Sequence, residues 1–446
     1  MPLGGPNVFP SSRDWLGLTR ELVAGTGQLP GTSPGISGSP STIPLDKSSF
    51  ESEDTPHWLP DEAIRGSMAK TFSMTLGVED ATFSYGGPAF LAVEGYFLDN
   101  AFGDLSSTYS GSFAGTTTSV AAAAVGGTTV TVSSGASFAS GGYAQFGTSA
   151  TAEVVALSNV AGSVLTFAQT PLRFAQGSGV TVYAIGTAIT NPFTHNFNLL
   201  NSALGYGGAA GAQPPTHTWG DYLGPGTGQG SGDVTNAYGM RLYPGACVAQ
   251  IDFTGNSEQL LMCKVTGASW PSTPAASAPT NTVSAVVPVA NWRSIVETGL
   301  PGSATTLGSV PTVGEWMVSI KRELQVYFTD QGVQTPFIIA RGPLDATGTL
   351  NYTVPPDETP LEQMLLNTQP SVQIAINNGQ AGTSLTYLGL TLALHQAAFT
   401  KVKPNRSSVL VGYDAEYTAV ANSTNVGGSG GLGPITATLV NGIPCY

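Results

Sequence analysis

Charge is the first thing this sequence lacks. Asp, Glu, Lys and Arg make up 10% of its 446 residues, and 28 acids against 15 bases leave a net charge of −13. A protein that grips phosphates carries a Lys/Arg patch as its electrostatic footprint. The basic clusters here are two short ones, Lys321-Arg322 and Lys401-x-Lys403-x-x-Arg406. This argues against tight nucleic-acid binding and does not exclude a surface that nucleic acid passes without sticking. A chain with so little charge stays in solution through Ser and Thr or hides surface in an assembly, and the second is favoured.

Cysteine is nearly absent too. Cys247, Cys263 and Cys445 are odd in number and show no C-x-x-C spacing. That excludes a disulfide framework and fits free thiols in a reducing compartment; a Cys247–Cys263 bridge between neighbouring strands stays open. The four histidines, His57, His195, His217 and His395, stand apart from one another and from Cys, so no metal spacing is read and no cofactor is expected. There is no H-E-x-x-H or Walker loop, and no G-x-S-x-G elbow or dinucleotide fingerprint set between a strand and a helix. The glycine-rich stretch 224–232 lacks the Lys and helix of a phosphate cradle. Asp61/Glu62 and Glu79/Asp80 are sequence neighbours, which point to opposite sides of a strand, whereas glycoside hydrolysis needs facing carboxylates. Asp357/Glu358 reads as favourable charge at a helix start. Nothing amounts to a catalytic set, and the chain reads as no enzyme. No run approaches about 20 apolar residues, and Met1-Pro-Leu-Gly-Gly does not open like a secretory signal.

What is present is a β protein. Gly 57, Pro 31 and 41% hydrophobic residues indicate many strands joined by turns. The clearest stretch is Trp316–Val354. Trp316, Val318, Ile320, Leu324, Val326 and Phe328 fall on alternate positions, with Ser319, Lys321, Glu323 and Gln325 between them, which predicts a strand buried on one side. A turn at Thr329–Gly332 and further strands at Thr335–Arg341 and Leu344–Val354 follow. Then a helix starts, with Thr359 as N-cap, Pro360 at its first position and Glu362 completing a capping box. Leu361, Met364 and Leu365 share the face expected to lie on the sheet.

At this length two or three domains are expected. Residues 1–65 read as an extended N-terminal arm, with a helical turn or two at Asp14–Val23. Its aromatics Phe9, Trp15, Phe50 and Trp58 are costly to leave in water, so the arm is expected to dock on a neighbouring copy. Residues 66–110 and 188–271 read as a first β-sandwich, with a strand at Lys70–Leu76 and a helix opened by Pro88 and capped by Gly103. Residues 111–187, rich in Thr, Val, Ala, Ser and Gly, have Glu153 and Arg173 as their only charges. Strand signals at Thr128–Val132, Ala152–Leu157, Val164–Phe167 and Val180–Tyr183 make this segment an inserted small β domain on the outer surface. Residues 272–313 read as a linker, with Ser272–Thr282 its Pro- and Ser-rich part. Residues 314–446 read as a second sandwich, including Leu388, Leu390, Leu392 and Leu394 on one face and Lys401 and Lys403 on a loop. The strand, Pro and helix order at Phe72–Gly103 echoes that at Leu350–Asn367, which suggests a duplicated unit.

Several stretches resemble the tail tube (major tail) proteins of long-tailed bacteriophages. They are Ile43-Pro-Leu-Asp-Lys-Ser-Ser-Phe-Glu, Glu62-Ala-Ile-Arg-Gly-Ser and Phe72–Gly103 in the first half. In the second half they are Val318-Ser-Ile-Lys-Arg-Glu, Ala346-Thr-Gly-Thr-Leu-Asn-Tyr and Leu385–Phe399. Ala152-Glu-Val-Val and Pro171-Leu-Arg-Phe-Ala are similar to a small β domain found in some such proteins. The resemblance implies a mainly β fold of tandem sandwich/barrel units, each with a short flanking helix. It implies a virion protein, assembled in the host cytoplasm, that forms stacked rings through which DNA is ejected. Trimeric rings with pseudo-sixfold symmetry are favoured over hexameric ones. The implied partners are further copies, the tape-measure, tail-tip and tail-terminator proteins, and DNA that slides through without specific binding; no membrane is involved. No active-site residues carry over, because the family has none. Expected contacts between copies are Phe9, Trp15, Phe50 and Trp58 of the arm, with Lys321, Arg322, Lys401 and Lys403. A carbohydrate-binding adhesin or decoration protein is the alternative, with Phe138, Tyr143 and Phe146 as its aromatic platform, and a polysaccharide-degrading tailspike is a more distant one.

Overall fold

The computed structural model describes residues 14–29, 41–45, 49–63, 65, 68–208, 213–223, 239–277, 279–283, 286–353, 358–406 and 409–446. The first strands are β1 (Trp15–Arg20), β2 (Thr42–Pro44), β3 (Phe50–Asp61) and β4 (Ser73–Pro88), followed by helix α1 (Gly95–Phe102) and β5 (Gly103–Tyr109). Next come β6 (Gly115–Thr118), β7 (Thr129–Thr131), β8 (Tyr143–Phe146), β9 (Glu153–Ala156), β10 (Asn159–Ala161), β11 (Val164–Thr166) and β12 (Thr181–Ile185). The chain continues through β13 (Phe193–Leu199), β14 (His217–Tyr222), β15 (Met240–Asn256), β16 (Met262–Ser269), β17 (Thr273–Pro274), β18 (Ile295–Gly299) and β19 (Leu307–Ser309). It ends with β20 (Val313–Tyr327), β21 (Ile338–Tyr352), α2 (Thr359–Leu366), β22 (Ser371–Asn377), β23 (Gly389–Leu394), β24 (Ala397–Asn405), β25 (Gly412–Ala419) and β26 (Thr436–Asn441).

The fold is mainly β and antiparallel. A large sheet contains the run β3-β4-β16-β15-β20-β21-β25-β24, with β2-β1-β14 branching from the first part of β15. A second sheet runs β19-β18-β22-β23-β26-β13-β5. Residues from both halves of the chain, such as Phe97, Phe253, Val318, Leu392 and Leu439, belong to one continuous core. The two segments expected as separate sandwiches therefore share one core and are joined where β15 pairs β20 and where β13 pairs β26. Among the described residues neither sheet closes into a barrel.

Within the large sheet, four strands are repeated. The order β3-β4-β16-β15 recurs as β20-β21-β25-β24, in the same chain order and the same polarity. Ladder irregularities coincide as well. The pairing of β3 with β4 jumps from Pro56↔Glu79 to Trp58↔Leu76, and that of β20 with β21 from Arg322↔Leu344 to Leu324↔Arg341. The last rungs, Asp61↔Ser73 and Tyr327↔Ile338, are equally far along. Between β15 and β16 the bulge lies between Val248↔Gly267 and Gln250↔Thr266; between β24 and β25 it lies between Phe399↔Tyr417 and Lys401↔Glu416. Bulges re-aim strands in a position-specific way, so their coincidence fixes the equivalence: Phe50 with Trp316, Tyr85 with Leu350, Phe253 with Pro404.

The helices follow the same plan, α1 packing on β15 and α2 on β24. Helix α1 starts at Gly95 rather than at Pro88, which ends β4. It is buried on every side and capped by Gly103 at φ 81, whose N–H donates to Asp99 O. In α2, Glu358 rather than Thr359 occupies the N-cap, Thr359 and Pro360 open the helix, and Asn367 at φ 50 ends it. Leu361 and Met364 pack on the core, whereas Leu365, expected on that face, is exposed.

Other expectations also change. Asp14–Val23 holds strand β1 rather than helical turns, because Trp15–Arg20 is buried between β2 and β14. Most described residues of the expected arm are thus sheet: β1, β2 and the long β3. The two strands expected at 335–341 and 344–354 form one, β21, bent by the bulge; Val354 and the stretch 224–232 lie outside the described residues. Ser272–Thr282 does not run free, since β17 pairs β15, Ala275 is buried, and the Thr282 N–H donates to Thr42 Oγ1 at 3.0 Å. Between β5 and β13, the seven strands of residues 111–187 form a four-stranded and a three-stranded sheet around their own core of Val130, Phe146, Val155, Leu165, Phe167 and Val182.

Candidate assembly interface

The eight-strand run of the large sheet ends in β3 on one side and β24 on the other, each paired on one side only among the described residues. Lys401 and Lys403 lie on β24, not on a loop, because Ala397–Asn405 continues the pairing with β25. Lys403 Nζ sits 3.8 Å from Asp414, and Lys401 Nζ 2.5 Å from Glu416, both across the ladder and largely in water. These cations are held in the chain rather than stranded on a loop. Exposed pairs of this kind contribute about 0–1 kcal/mol, so they remain available to a further carboxylate.

Along the other edge, β3 and β4 run past the end of β16 as a two-stranded hairpin. Its Trp58, Leu59, Met74 and Leu76 are exposed, Trp58 at 53%. The equivalent hairpin of β20 and β21 lies beside it: the Glu79 N–H donates to Gln334 O at 2.9 Å, and Gln334 Nε2 donates to Gly77 O at 2.8 Å. Two aromatics expected to meet a neighbour are used inside the chain. Trp15 is buried and stacks on Tyr222; Phe50 stacks on Trp219. Phe9 lies outside the described residues. Lys321 is exposed and opposite Asp345. Arg322 is turned inward and buried, and its Nε finds no partner among the described residues; burial, then the nearby Arg341 charge, pulls it down to about 10.

The face of the large sheet turned away from the core is polar. Lys264 opposes Asp252, Lys321 opposes Asp345, and Lys401 and Lys403 oppose Glu416 and Asp414. Glu51 and Glu53 oppose only Ser84 and Thr82, which leaves this face acidic at the β3 edge.

A buried polar cluster, missed in the sequence, lies where the insert meets α1. Arg173 of the insert holds Asp99 of α1 with two hydrogen bonds, at 2.7 and 2.9 Å, and donates to Tyr446 O at 2.9 Å. The Tyr206 ring lies under both Arg20 and Arg173, 4.9 and 4.8 Å from their guanidinium carbons. Asn100 Nδ2 donates to His217 Nδ1 at 2.9 Å, and Arg341 donates to Asn100 O at 3.1 Å. Burial dominates the titrations. It holds His217 down at about 3 and His195 at about 4, and pushes Glu94 and Glu153 up to about 7. The signal for this cluster was in the sequence: Glu153 and Arg173 stand alone in an uncharged segment.

Among the described residues, no three His, Cys, Asp or Glu side chains converge to hold a metal ion. All three cysteines are free and buried. A cleft of about 520 Å³ is lined by Glu21, Trp270, Phe337 and Arg341, but Glu21 is already saturated by Gly25 N, Gly245 N, Thr216 Oγ1 and Thr218 Oγ1 at 2.7–2.9 Å. Phe138, Tyr143 and Phe146 are buried and form no platform for a sugar. Among the described residues, no helix is long and apolar enough to cross a membrane. No protein-family model and no curated protein matches the chain.

Proposed function

We propose that the chain is a structural subunit that polymerises into stacked rings, the tail tube of a long-tailed phage and the conduit for its DNA. The observation that carries this reading is the repeated four-strand module of the large sheet. Two modules of equal polarity are joined edge to edge inside the chain, and the edges at either end are open. A repeat that adds end to end with one polarity forms a ring where its rotation closes and an open filament where it does not, and closure removes the edges that otherwise invite aggregation. Three copies with two modules each give a trimeric ring with pseudo-sixfold symmetry.

The polar face supports the lumen assignment. With its bases matched across the ladders and Glu51 and Glu53 in excess, it repels phosphate rather than holding it. In this reading the chain is no enzyme, the insert stands on the outside of the tube, and tape-measure, tail-tip and terminator proteins meet the ends of the stack. The adhesin reading loses its aromatic platform to the core of the insert. Negative-stain microscopy of the purified protein tests the proposal: stacked rings or tubes support it, and isolated particles at every concentration refute it.

A further inference from the structure

The internal seam is a template for the external one. Inside the chain, β15 pairs β20 through Gln250↔Lys321, Ile251↔Ile320, Asp252↔Ser319, Phe253↔Val318 and Thr254↔Met317. The matched bulges make β24 the equivalent of β15 and β3 the equivalent of β20. Transferring the register gives Lys401↔Thr55, Val402↔Asp54, Lys403↔Glu53, Pro404↔Ser52 and Asn405↔Glu51. We propose that β24 of one copy pairs antiparallel with β3 of the next in this register, with Lys403 opposite Glu53. This rests on the ring-forming reading above and names the surfaces through which it works.

Backbone geometry agrees. The Val402 N–H donates to Met364 Sδ at 3.1 Å, so the even-numbered groups of β24 point away from β25. The Gly86 N–H donates to Ser49 O, so the odd-numbered groups of β3 bond β4 and the even-numbered ones point outward. Every proposed hydrogen-bonded rung joins two even-numbered residues. A thioether is a weak acceptor, and the Asp54 carbonyl replaces it. Pro404 has no N–H to offer on that side; one missing donor makes an edge selective rather than generally adhesive.

Side chains agree as well. Lys403 and Lys401 face the excess acids Glu53 and Glu51 on the same polar face, so opposite charges meet directly and diagonally. At the internal seam, Leu324 and Ile339 of the second hairpin pack with Cys247 and Ala268, and Arg341 is buried against Asn100 of α1. Their equivalents in the first hairpin are Trp58, Met74 and Leu76, all exposed. On the other side, Leu365 and Leu366 at the end of α2 are exposed, 71% and 73%. The apolar surface left open on the hairpin is the surface whose counterpart is covered inside the chain, and the open end of α2 is what would cover it.

The test is a cysteine pair. Directly opposed residues that share no ladder bond lie about 4.5 Å apart at Cα, within disulfide reach, and the native cysteines are buried. Under mild oxidation, full-length E53C/K403C is expected to form covalent multimers, whereas each single variant stays monomeric on a non-reducing gel and E51C/K403C cross-links at least tenfold more slowly. K403E is expected to abolish assembly and E53K/K403E to restore it; W58A is expected to remain folded and lose assembly. Rings or tubes that form without the 53–403 cross-link, or that cross-link through 51 instead, overturn this contact while leaving the assembly reading standing. Wild-type protein that never assembles overturns both.

Discussion

Arg173 and Asp99 form a buried ion pair. Their side chains are 9% and 0% exposed, and removing one member of such a pair leaves an uncompensated buried charge, at about 3–5 kcal/mol. Arg173→Leu should lose about that much in urea denaturation, and Arg173→Leu with Asp99→Leu should recover most of it; a loss below about 1 kcal/mol for the single change would contradict the burial. Glu153 beside it sets a pH dependence. Its carboxyl accepts from the Arg173 N–H at 2.8 Å and from Gln176 Nε2 at 2.6 Å, yet burial outweighs both and raises it from 4.5 to about 7. A raised carboxyl contributes stability that is complete below pH 4.5 and is lost as pH rises through 7. Glu153→Gln keeps an acceptor without the charge. Its stability relative to the wild type should therefore improve between pH 5 and pH 8, by on the order of 3 kcal/mol at 1.36 kcal/mol per unit; a gap that does not change with pH would contradict the assignment. That these two residues mattered was legible from their isolation in the segment 111–187. Their partner Asp99 was not, because only the fold brings positions 74 residues apart together.

At the scale of elements, hydrophobic period marked strands well and boundaries poorly. Trp316, Val318 and Ile320 are buried as their alternation predicts, with Lys321, Glu323 and Gln325 exposed between and beyond them. Ser319 is the exception at 2% exposed, because its Oγ donates to Asp252 across the seam. Strand β1 was misread because Trp15–Arg20 is buried on both faces and has no alternation to show. The hairpin of β3 and β4 was missed for a related reason: Pro56 and Pro60 argue against a central strand, but β3 is an edge, where proline is tolerated. With β1 built into the sheet, removal of residues 1–45 strips a neighbour from β14 and is expected to destabilise the folded chain. The insert is the more separable element. Tyr109 and Phe193, at either end of it, are direct partners across β5 and β13. Replacing residues 111–191 by a Gly-Gly turn, combined with Asp99→Leu, should leave a folded body with a β-type circular dichroism spectrum; collapse into an unfolded chain would show that the body depends on the Tyr143, Val154 and Ile185 side chains that the insert adds to its core.

At the scale of the whole molecule, the decisive feature is a repeat that leaves almost no trace in residue identity. Phe50 corresponds to Trp316, Tyr85 to Leu350 and Phe83 to Gly348, and the letters agree at only a few positions, chiefly Asp80-Ala81-Thr82 with Asp345-Ala346-Thr347, whereas comparison of ladders finds the same bulges at the same rungs. The echo of strand and helix orders was the only part visible beforehand. Physics explains why the pattern survives without the letters: a buried strand needs apolar residues of fitting size, while register and bulges are what set the geometry of assembly. The scarcity of charge, the excess of acid on one face and the exposed hairpin at one edge then have a common account in the closed, DNA-conducting ring proposed above. The most direct test is the averaged axial view of assembled wild-type protein by electron cryomicroscopy. The account predicts closed rings of three copies with six similar wall segments around an open lumen whose inner surface is acidic. Monodisperse single particles, or rings with a strongly basic inner wall, would contradict it.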